Sequence, residues 1–211
     1  MKAFTYLENR DTEIHIIHTV LDDYIPFCEY FVIPYLLWFA FVAVTVIYFA
    51  LSNERKNEFC QLSRALCIGM TIFLIISFVY PNGQNLRPKL DGDGICIQLV
   101  KLLYKIDTPT NILPSLHVFN AVVCCVALLK NKKIKEKRGV TVITVVLTVM
   151  IILSTMFLKQ HSIVDVVLAL LMNVVCYQFV YVIRNHQKSK KDSVYLHKPI
   201  KYIKKRLSRK E

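Results

Sequence analysis

Long apolar runs separated by short polar loops set the pattern of this chain. Residues 31–51 carry no charge and, as a helix, are long enough to cross the hydrocarbon of a bilayer. Four further apolar runs follow at residues 66–80, 114–129, 140–158 and 163–183. Backbone groups in lipid must be paired within the protein, so each run is expected to be helical. The pattern therefore predicts an all-α fold, an integral membrane helical bundle with five transmembrane helices.

The N-terminal stretch has a different pattern. Its apolar residues recur at helical spacing among acidic ones, at Ile14, Ile17, Val20, Leu21 and Tyr24, which is typical of a helix lying on a membrane surface. No signal peptide is visible there, so the first span is expected to direct insertion. We therefore expect an N-terminal surface helix within an interfacial segment at residues 1–26, a transmembrane domain at 27–184 and a basic tail at 185–211.

The longest connection between apolar runs, residues 81–113, contains several Gly and Pro residues. A connection of this length inside a compact domain is usually functional. Within it, Ile95, Leu99, Leu102 and Leu103 recur at helical spacing. This spacing predicts a short amphipathic helix on the membrane surface.

Composition and charge support the membrane assignment and orient the chain. With 55% hydrophobic residues and a mean hydropathy of +0.42, the chain is too apolar for an ordinary soluble domain. The net charge of +12 lies mainly beside the apolar runs, with three Lys or Arg residues at 52–64, six at 130–138 and eleven from Arg184 onward. Five spans place these segments on one side, which the positive-inside rule makes cytoplasmic, C-terminus included. Charge so placed indicates lipid contact, and no nucleic-acid partner is expected.

The same five-span topology brings several polar residues to the outer face of the membrane. They are Arg87, Ser115, His117, Lys159, His161 and Asp165. His161 and Asp165 are four residues apart and share one face of a helix, so the carboxylate can hold one ring nitrogen and leave the other as a base or nucleophile. An acid inside an apolar run is costly and is read by default as functional. Taken alone, the pair also fits a structural hydrogen bond at a helix start.

Three short motifs fall on this face: Arg87-Pro88, Pro114-Ser115-Leu116-His117, and Ser154 with His161 and Asp165. An arginine fork binds two phosphate oxygens, and a helix start such as that after Pro114 offers an anion site. In order and spacing the motifs resemble the signature of the type 2 phosphatidic acid phosphatase superfamily, the lipid phosphate phosphatases. That signature is Lys, six residues, Arg-Pro; then Pro-Ser-Gly-His; then Ser-Arg, five residues, His, three residues, Asp. The resemblance extends over residues 66–183.

The resemblance implies a metal-independent membrane phosphatase acting on a lipid phosphate monoester or diphosphate. In it, His161 would be the nucleophile that forms a phosphohistidine, Asp165 would orient it, and His117 would be the general acid and then the base. Arg87 and Ser115 would hold the phosphate oxygens. No cofactor or metal is expected. The expected partners are membrane lipids and a phospholipid or polyprenyl phosphate substrate, at the outer face of what is expected to be a bacterial cell membrane.

Departures from the signature keep alternatives open. Tyr80, Leu116 and Thr155 stand where the signature has Lys, Gly and Arg. We hypothesise that Lys159 and Lys89 restore the lost charge, although Lys159 also fits an interfacial lysine. Pro-Ser-Leu-His resembles the inositol phosphorylceramide synthase-like branch, in which a phosphorylated head group passes to a lipid alcohol. A phosphotransferase therefore remains an alternative, and the missing cations leave a non-catalytic membrane scaffold as another.

Overall fold

The computed structural model of the chain describes residues 12–51 and 56–183. Its elements in chain order are β1 His15–Ile16, α1 Val20–Tyr24, α2 Val32–Ala50, α3 Lys56–Val79, β2 Asn82–Gly83, α4 Ile95–Ile106, α5 Leu116–Lys130, α6 Lys132–Lys135, α7 Arg138–Phe157 and α8 Ile163–Tyr177. A 3₁₀ turn at Glu29–Phe31 leads into α2, and π-helical backbone at Gln178–Ile183 continues α8. The described part is mostly helical, in agreement with the predicted class.

Within the described ranges, four helices are long and apolar enough to cross a membrane. They are Glu29–Ala50, Lys56–Val79, Arg138–Phe157 and Ile163–Val182. Helices of this length and composition support an integral membrane protein. The second of these helices begins ten residues before its apolar run, because the polar residues that precede the run are also helical.

The predicted third span is shorter than expected. Helix α5 has 15 residues, or about 22 Å at 1.5 Å per residue, less than a full hydrocarbon crossing. It begins at Leu116 because Ser115 caps it, its Oγ accepting from the Val118 N–H. It ends where Asn131 caps α6. The count of five spans therefore stays a prediction.

Helix α5 is the centre of the bundle. It packs against α2, α3, α7 and α8, and more than half of its residues are buried. It also lies close to α3, where a Cβ added to Gly69 would lie 2.0 Å from Cε1 of Phe119. A helix surrounded by protein has little contact with lipid, which accounts for its tolerance of a short length.

The N-terminal segment is not the single surface helix that its spacing predicts. His15 and Ile16 form a strand that pairs in parallel with Asn82 and Gly83, and within the described part of this segment α1 alone is α-helical. The prediction was wrong because apolar spacing gives no account of backbone partners: the N–H groups of His15 and Ile17 donate to the carbonyls of Pro81 and Gly83. Residues 1–11 of the predicted segment lie outside the described residues.

The predicted amphipathic helix in the long connection is confirmed as α4. Its buried residues Val100 and Leu103 join a cluster with Val32, Tyr35 and Leu158. This cluster fixes α4 against the beginning of α2 and the end of α7. The long connection is thereby held over one end of the bundle, where the predicted site residues lie.

Candidate active site

The turn between α7 and α8 positions His161 and Asp165. Lys159 has a left-handed backbone with φ 53°, and the N–H groups of Gln160 and His161 both donate to the carbonyl of Thr155. The chain thus reverses within a few residues before Ser162 caps α8 in a capping box with Asp165. Tight reversal and capping together orient the side chains at the helix start.

His161 and Asp165 form the pair expected from their spacing. His161 Nδ1 lies 3.3 Å from Asp165 Oδ2, and the exposed fractions of the two side chains are 8% and 0%. The same carboxylate oxygen accepts from the Ser162 N–H at 2.9 Å. With Nδ1 turned toward the carboxylate, Nε2 is the nitrogen left for chemistry.

His117 lies in the first turn of α5, close to His161. Their ring centroids are 5.8 Å apart. Two aromatic rings from α2 flank His117, with centroid distances of 4.6 Å to Tyr35 and 4.3 Å to Trp38. Neither aromatic belongs to the three motifs; their spacing of three residues, which places them on one face of α2, was the available signal.

Arg87 is held by the end of α4 and by the turn between α7 and α8. Its Nη1 donates to the carbonyl of Tyr104 at 3.1 Å, and its Nη2 donates to the carbonyl of Asp107 at 2.6 Å and to Oε1 of Gln160 at 2.5 Å. Burial lowers the pKa of Arg87, an effect that Asp107 opposes. Burial likewise raises the pKa of Tyr104 to about 12, against the opposing charge of Arg87. The phenol therefore stays a proton donor, and it donates to the carbonyl of Leu158.

A small cavity of about 90 Å³ lies beside the two histidines. Its lining is Phe73, Asp107, Thr108, Thr110, Asn111, Ile112, Leu116, His117, Gln160 and His161. Hydroxyl, amide, carboxyl and imidazole groups thus surround one space. Such a mixture of donors and acceptors suits a polar group that enters between the rings.

The other predicted site residues differ in their contacts and in whether they line this cavity. Ser115 is fully buried, and its N–H donates to the carbonyl of Asp165 at 3.3 Å, which joins the starts of α5 and α8. Lys159 Nζ donates to the carbonyl of Asp22 at 2.7 Å. Lys89 is exposed. Of the predicted site residues, His117 and His161 line the cavity. Arg87 and Asp165 bond to residues that line it, and Ser115 directly precedes the lining residue Leu116. Neither lysine lines the cavity.

Asp22 is a residue that the sequence reasoning missed. Only 2% exposed, its carboxylate accepts from the Ser162 hydroxyl at 2.6 Å and from the Ile163 N–H at 2.8 Å. Burial alone would raise the pKa of Asp22, but these bonds and two from Thr19 outweigh burial and lower it. The N-terminal segment thus contacts the start of α8. An acid at helical spacing in an amphipathic stretch gave no signal of this contact.

Gln160 and Asp107 were also missed. Gln160 is 2% exposed and binds Arg87, while Asp107 accepts from the Tyr35 hydroxyl at 2.8 Å. Neither belongs to the three motifs; the position of Gln160 next to His161 was its only sequence signal. Among the described residues, no group of three or more His, Cys, Asp or Glu side chains is placed to hold a metal ion.

Comparison with known families matches residues 81–189 to the PAP2 superfamily. The matched region includes Arg87, Ser115, His117, His161 and Asp165. Comparisons with curated proteins and with solved structures gave no match, and the inositol phosphorylceramide synthase-like branch stays a prediction. Because the match covers more than half of the 211 residues, the chain belongs to the PAP2 superfamily.

Proposed function

We propose that this protein is a metal-independent membrane phosphatase that hydrolyses a lipid phosphate monoester or diphosphate through a phosphohistidine. Membership of the PAP2 superfamily supports a phosphatase or phosphotransferase. The observation that carries the proposal is the pairing of two imidazoles across one cavity, with Asp165 behind His161. Rings 5.8 Å apart can face opposite sides of one phosphoryl group.

In the first step, His161 Nε2 attacks phosphorus. The bond from phosphorus to the ester oxygen of a monoester, or to the bridging oxygen of a diphosphate, breaks. His117 donates its proton to that oxygen as the lipid alcohol or the lipid monophosphate leaves. Asp165 stabilises the positive charge that develops on the His161 ring and holds it in the reactive tautomer.

In the second step, water enters on the side that the lipid alcohol has left. His117, now neutral, accepts a proton from the water as its oxygen attacks phosphorus. The bond from phosphorus to His161 Nε2 breaks, and inorganic phosphate is released. The two histidines return to their starting protonation states, so the cycle balances.

Charge on the phosphoryl oxygens requires donors during both steps. Arg87 supplies a fixed cation, and the N-terminal end of α5 supplies N–H groups and the positive end of a helix dipole beside Ser115. Lys159 and Lys89 remain predicted ligands that would have to leave their present positions. Positioned cations and dipoles can stabilise a phosphoryl transition state without a metal.

Head-group transfer to a lipid alcohol is the alternative that one observation favours. Tyr80 and Thr155 occupy positions where the signature has cations; the Tyr80 ring stacks on His15 at 4.5 Å, and the Thr155 hydroxyl donates to the carbonyl of Ile152. A site with fewer cations is better matched to a phosphodiester, which carries one negative charge, than to a dianionic monoester. The first step is the same, and a lipid hydroxyl replaces water in the second.

The orientation forms part of the proposal. The positive-inside rule puts the basic loops and tail in the cytoplasm and the cavity at the outer face of a cell membrane, expected to be bacterial. The lipid head group would reach the cavity from the bilayer while its acyl chains stay in the membrane.

Turnover by purified protein in detergent tests the proposal. We expect phosphate release from phosphatidate or a polyprenyl diphosphate in EDTA, and loss of at least about 100-fold in His161→Ala and His117→Ala. His18→Ala is the matched control, because His18 is exposed and pairs only with Asp23 in the described residues. With a phosphodiester lipid as the donor, turnover that needs a lipid alcohol identifies the transferase. Full activity in both cavity variants contradicts the mechanism, and no turnover of any lipid supports the scaffold.

A further inference from the structure

We infer that Gln160 is a phosphate ligand, donating a hydrogen bond from Nε2 to a phosphoryl oxygen held beside the two imidazoles. The inference rests on the proposed function, because it adds a residue to the same site. Gln160 directly precedes His161 and lines the cavity together with both histidines. Its backbone N–H is fixed to the carbonyl of Thr155.

Arg87 determines which end of the amide is free. A guanidinium only donates hydrogen bonds, so the Gln160 atom that meets Arg87 Nη2 must be the carbonyl oxygen, Oε1. The NH₂ group is therefore the other arm of the amide. The orientation of this side chain follows from its partner and not from the shape of the amide alone.

That NH₂ group is buried and unpaired. Nε2 of Gln160 has no hydrogen-bond partner among the described residues, although the side chain is 2% exposed. Nε of Arg87, on the same guanidinium that holds Gln160, is likewise buried and has no acceptor in the described part of the chain. Buried donors without acceptors are rare in folded proteins and call for an explanation.

A phosphoryl group in the cavity supplies the acceptor that the Gln160 NH₂ group lacks. Its oxygens are acceptors, and the residues that line the cavity in the described ranges include neither Lys nor Arg. The ammonium of Lys159 is already bonded to the Asp22 carbonyl. Gln160 therefore supplies hydrogen-bonding capacity at a place where lysine and arginine of the family signature are missing. It does so without adding charge.

Binding of inorganic phosphate by the purified full chain, followed by phosphorus NMR titration in detergent, tests the inference without turnover. We expect Gln160→Leu to weaken phosphate binding about 10-fold or more, as for loss of a hydrogen bond to a charged group. Gln160→Glu keeps an oxygen for Arg87 but removes the donor, and we expect a loss at least as large. Gln98→Glu makes the same change on an exposed part of α4, and its affinity should stay within about 2-fold of wild type.

Each outcome separates this inference from the proposed function. Wild-type affinity in folded Gln160→Glu and Gln160→Leu, judged by an unchanged melting temperature, overturns the inference, as does no phosphate binding by the wild type. Turnover that depends on His161 can persist in that case, so the proposed function stands. If phosphate binding depends on Gln160 but the protein turns over no lipid, Gln160 stands as a phosphate ligand and the proposed reaction is wrong.

Discussion

At the scale of single residues, the chemistry depends on how Asp165 is held. Its Oδ2 faces both His161 Nδ1 and the Ser162 N–H, whereas its Oδ1 is buried with no hydrogen-bond partner among the described residues. In the proposed mechanism, a carboxylate next to an imidazole stabilises the charge that the ring gains on attack. The capping bond and the bond to the ring are thus made by the same oxygen.

Asp165→Asn separates these two roles. The Asn oxygen can still cap α8, but it carries no charge to stabilise the His161 ring. We expect the melting temperature to change little while kcat falls roughly 10²–10⁴-fold and KM stays within a few-fold. Lipid turnover and thermal unfolding of the same preparation measure both. An unfolded variant, or one with wild-type kcat, contradicts this division of roles.

The motif residues could be predicted from sequence, whereas their neighbours could not. A spacing of four residues was enough to pair His161 with Asp165, because helix geometry is local. Gln160 meets Arg87 across 73 positions and Asp22 meets Ser162 across 140. Such contacts are set by the packing of distant elements, and no local pattern encodes them.

At the scale of elements, the start of α8 is supported from outside the PAP2 match. Asp22, on α1, accepts hydrogen bonds from the cap residue Ser162 and from Ile163. Lys159, in the preceding turn, donates to the Asp22 carbonyl. The N-terminal segment therefore holds the turn that carries His161 in place.

Asp22→Ala is expected to destabilise the folded protein at pH 7 by about 2 kcal/mol, the loss of hydrogen bonds to a charged group. Asp22 has a lowered pKa when folded, so its contribution is complete above its unfolded pKa of about 3.9 and disappears as pH falls through the lower folded value. The difference in stability between wild type and variant should therefore shrink at acid pH.

Thermal unfolding in detergent at neutral and acid pH measures this difference. Asp23→Ala is the control, because Asp23 is exposed and pairs with exposed His18, a contact that contributes little. An equal loss of stability in Asp22→Ala and Asp23→Ala, or a difference that does not depend on pH, contradicts the anchoring role.

Packing between α3 and α5 depends on the absence of a side chain at Gly69. A Cβ there would lie 2.0 Å from the Phe119 ring, so Gly69→Ala forces the ring or a helix to move. We expect a loss of about 1–3 kcal/mol in unfolding free energy. Gly139→Ala, where a Cβ meets nothing within 4 Å, is the control and should be neutral or slightly stabilising. Partial recovery in Gly69→Ala with Phe119→Leu would assign the loss to this contact.

The bounds and neighbours of the helices and strands show how much of the fold the hydrophobic pattern could predict. The apolar runs located the helices of the bundle, because burial in lipid or protein selects the same residues. They did not reveal that α5 is central, since an apolar helix has the same composition against lipid as against protein. The pairing of His15 with Asn82 was missed because backbone partners leave no trace in side-chain pattern.

At the scale of the whole molecule, the fold places the cavity and both histidines at one end of a bundle. The starts of α5 and α8 and the end of α7 meet there, with α4 and the N-terminal segment packed against them. The opposite end carries the short helix α6, where Nδ2 of Asn131 donates a hydrogen bond to Oε2 of Glu58 at 2.7 Å. The arrangement separates a lysine-rich end from the cavity, as expected for a protein that spans a membrane and works at one face.

The central claim is that His161 becomes covalently phosphorylated, and trapping of the intermediate tests it most directly. Protein is mixed with a lipid phosphate labelled with ³²P, quenched in alkali, and assayed for bound label before and after acid treatment. We expect acid-labile label on the wild type and on His18→Ala, and none on His161→Ala, whether the acceptor is water or a lipid alcohol. Label that persists in His161→Ala, or that survives acid and is lost in alkali, would contradict it.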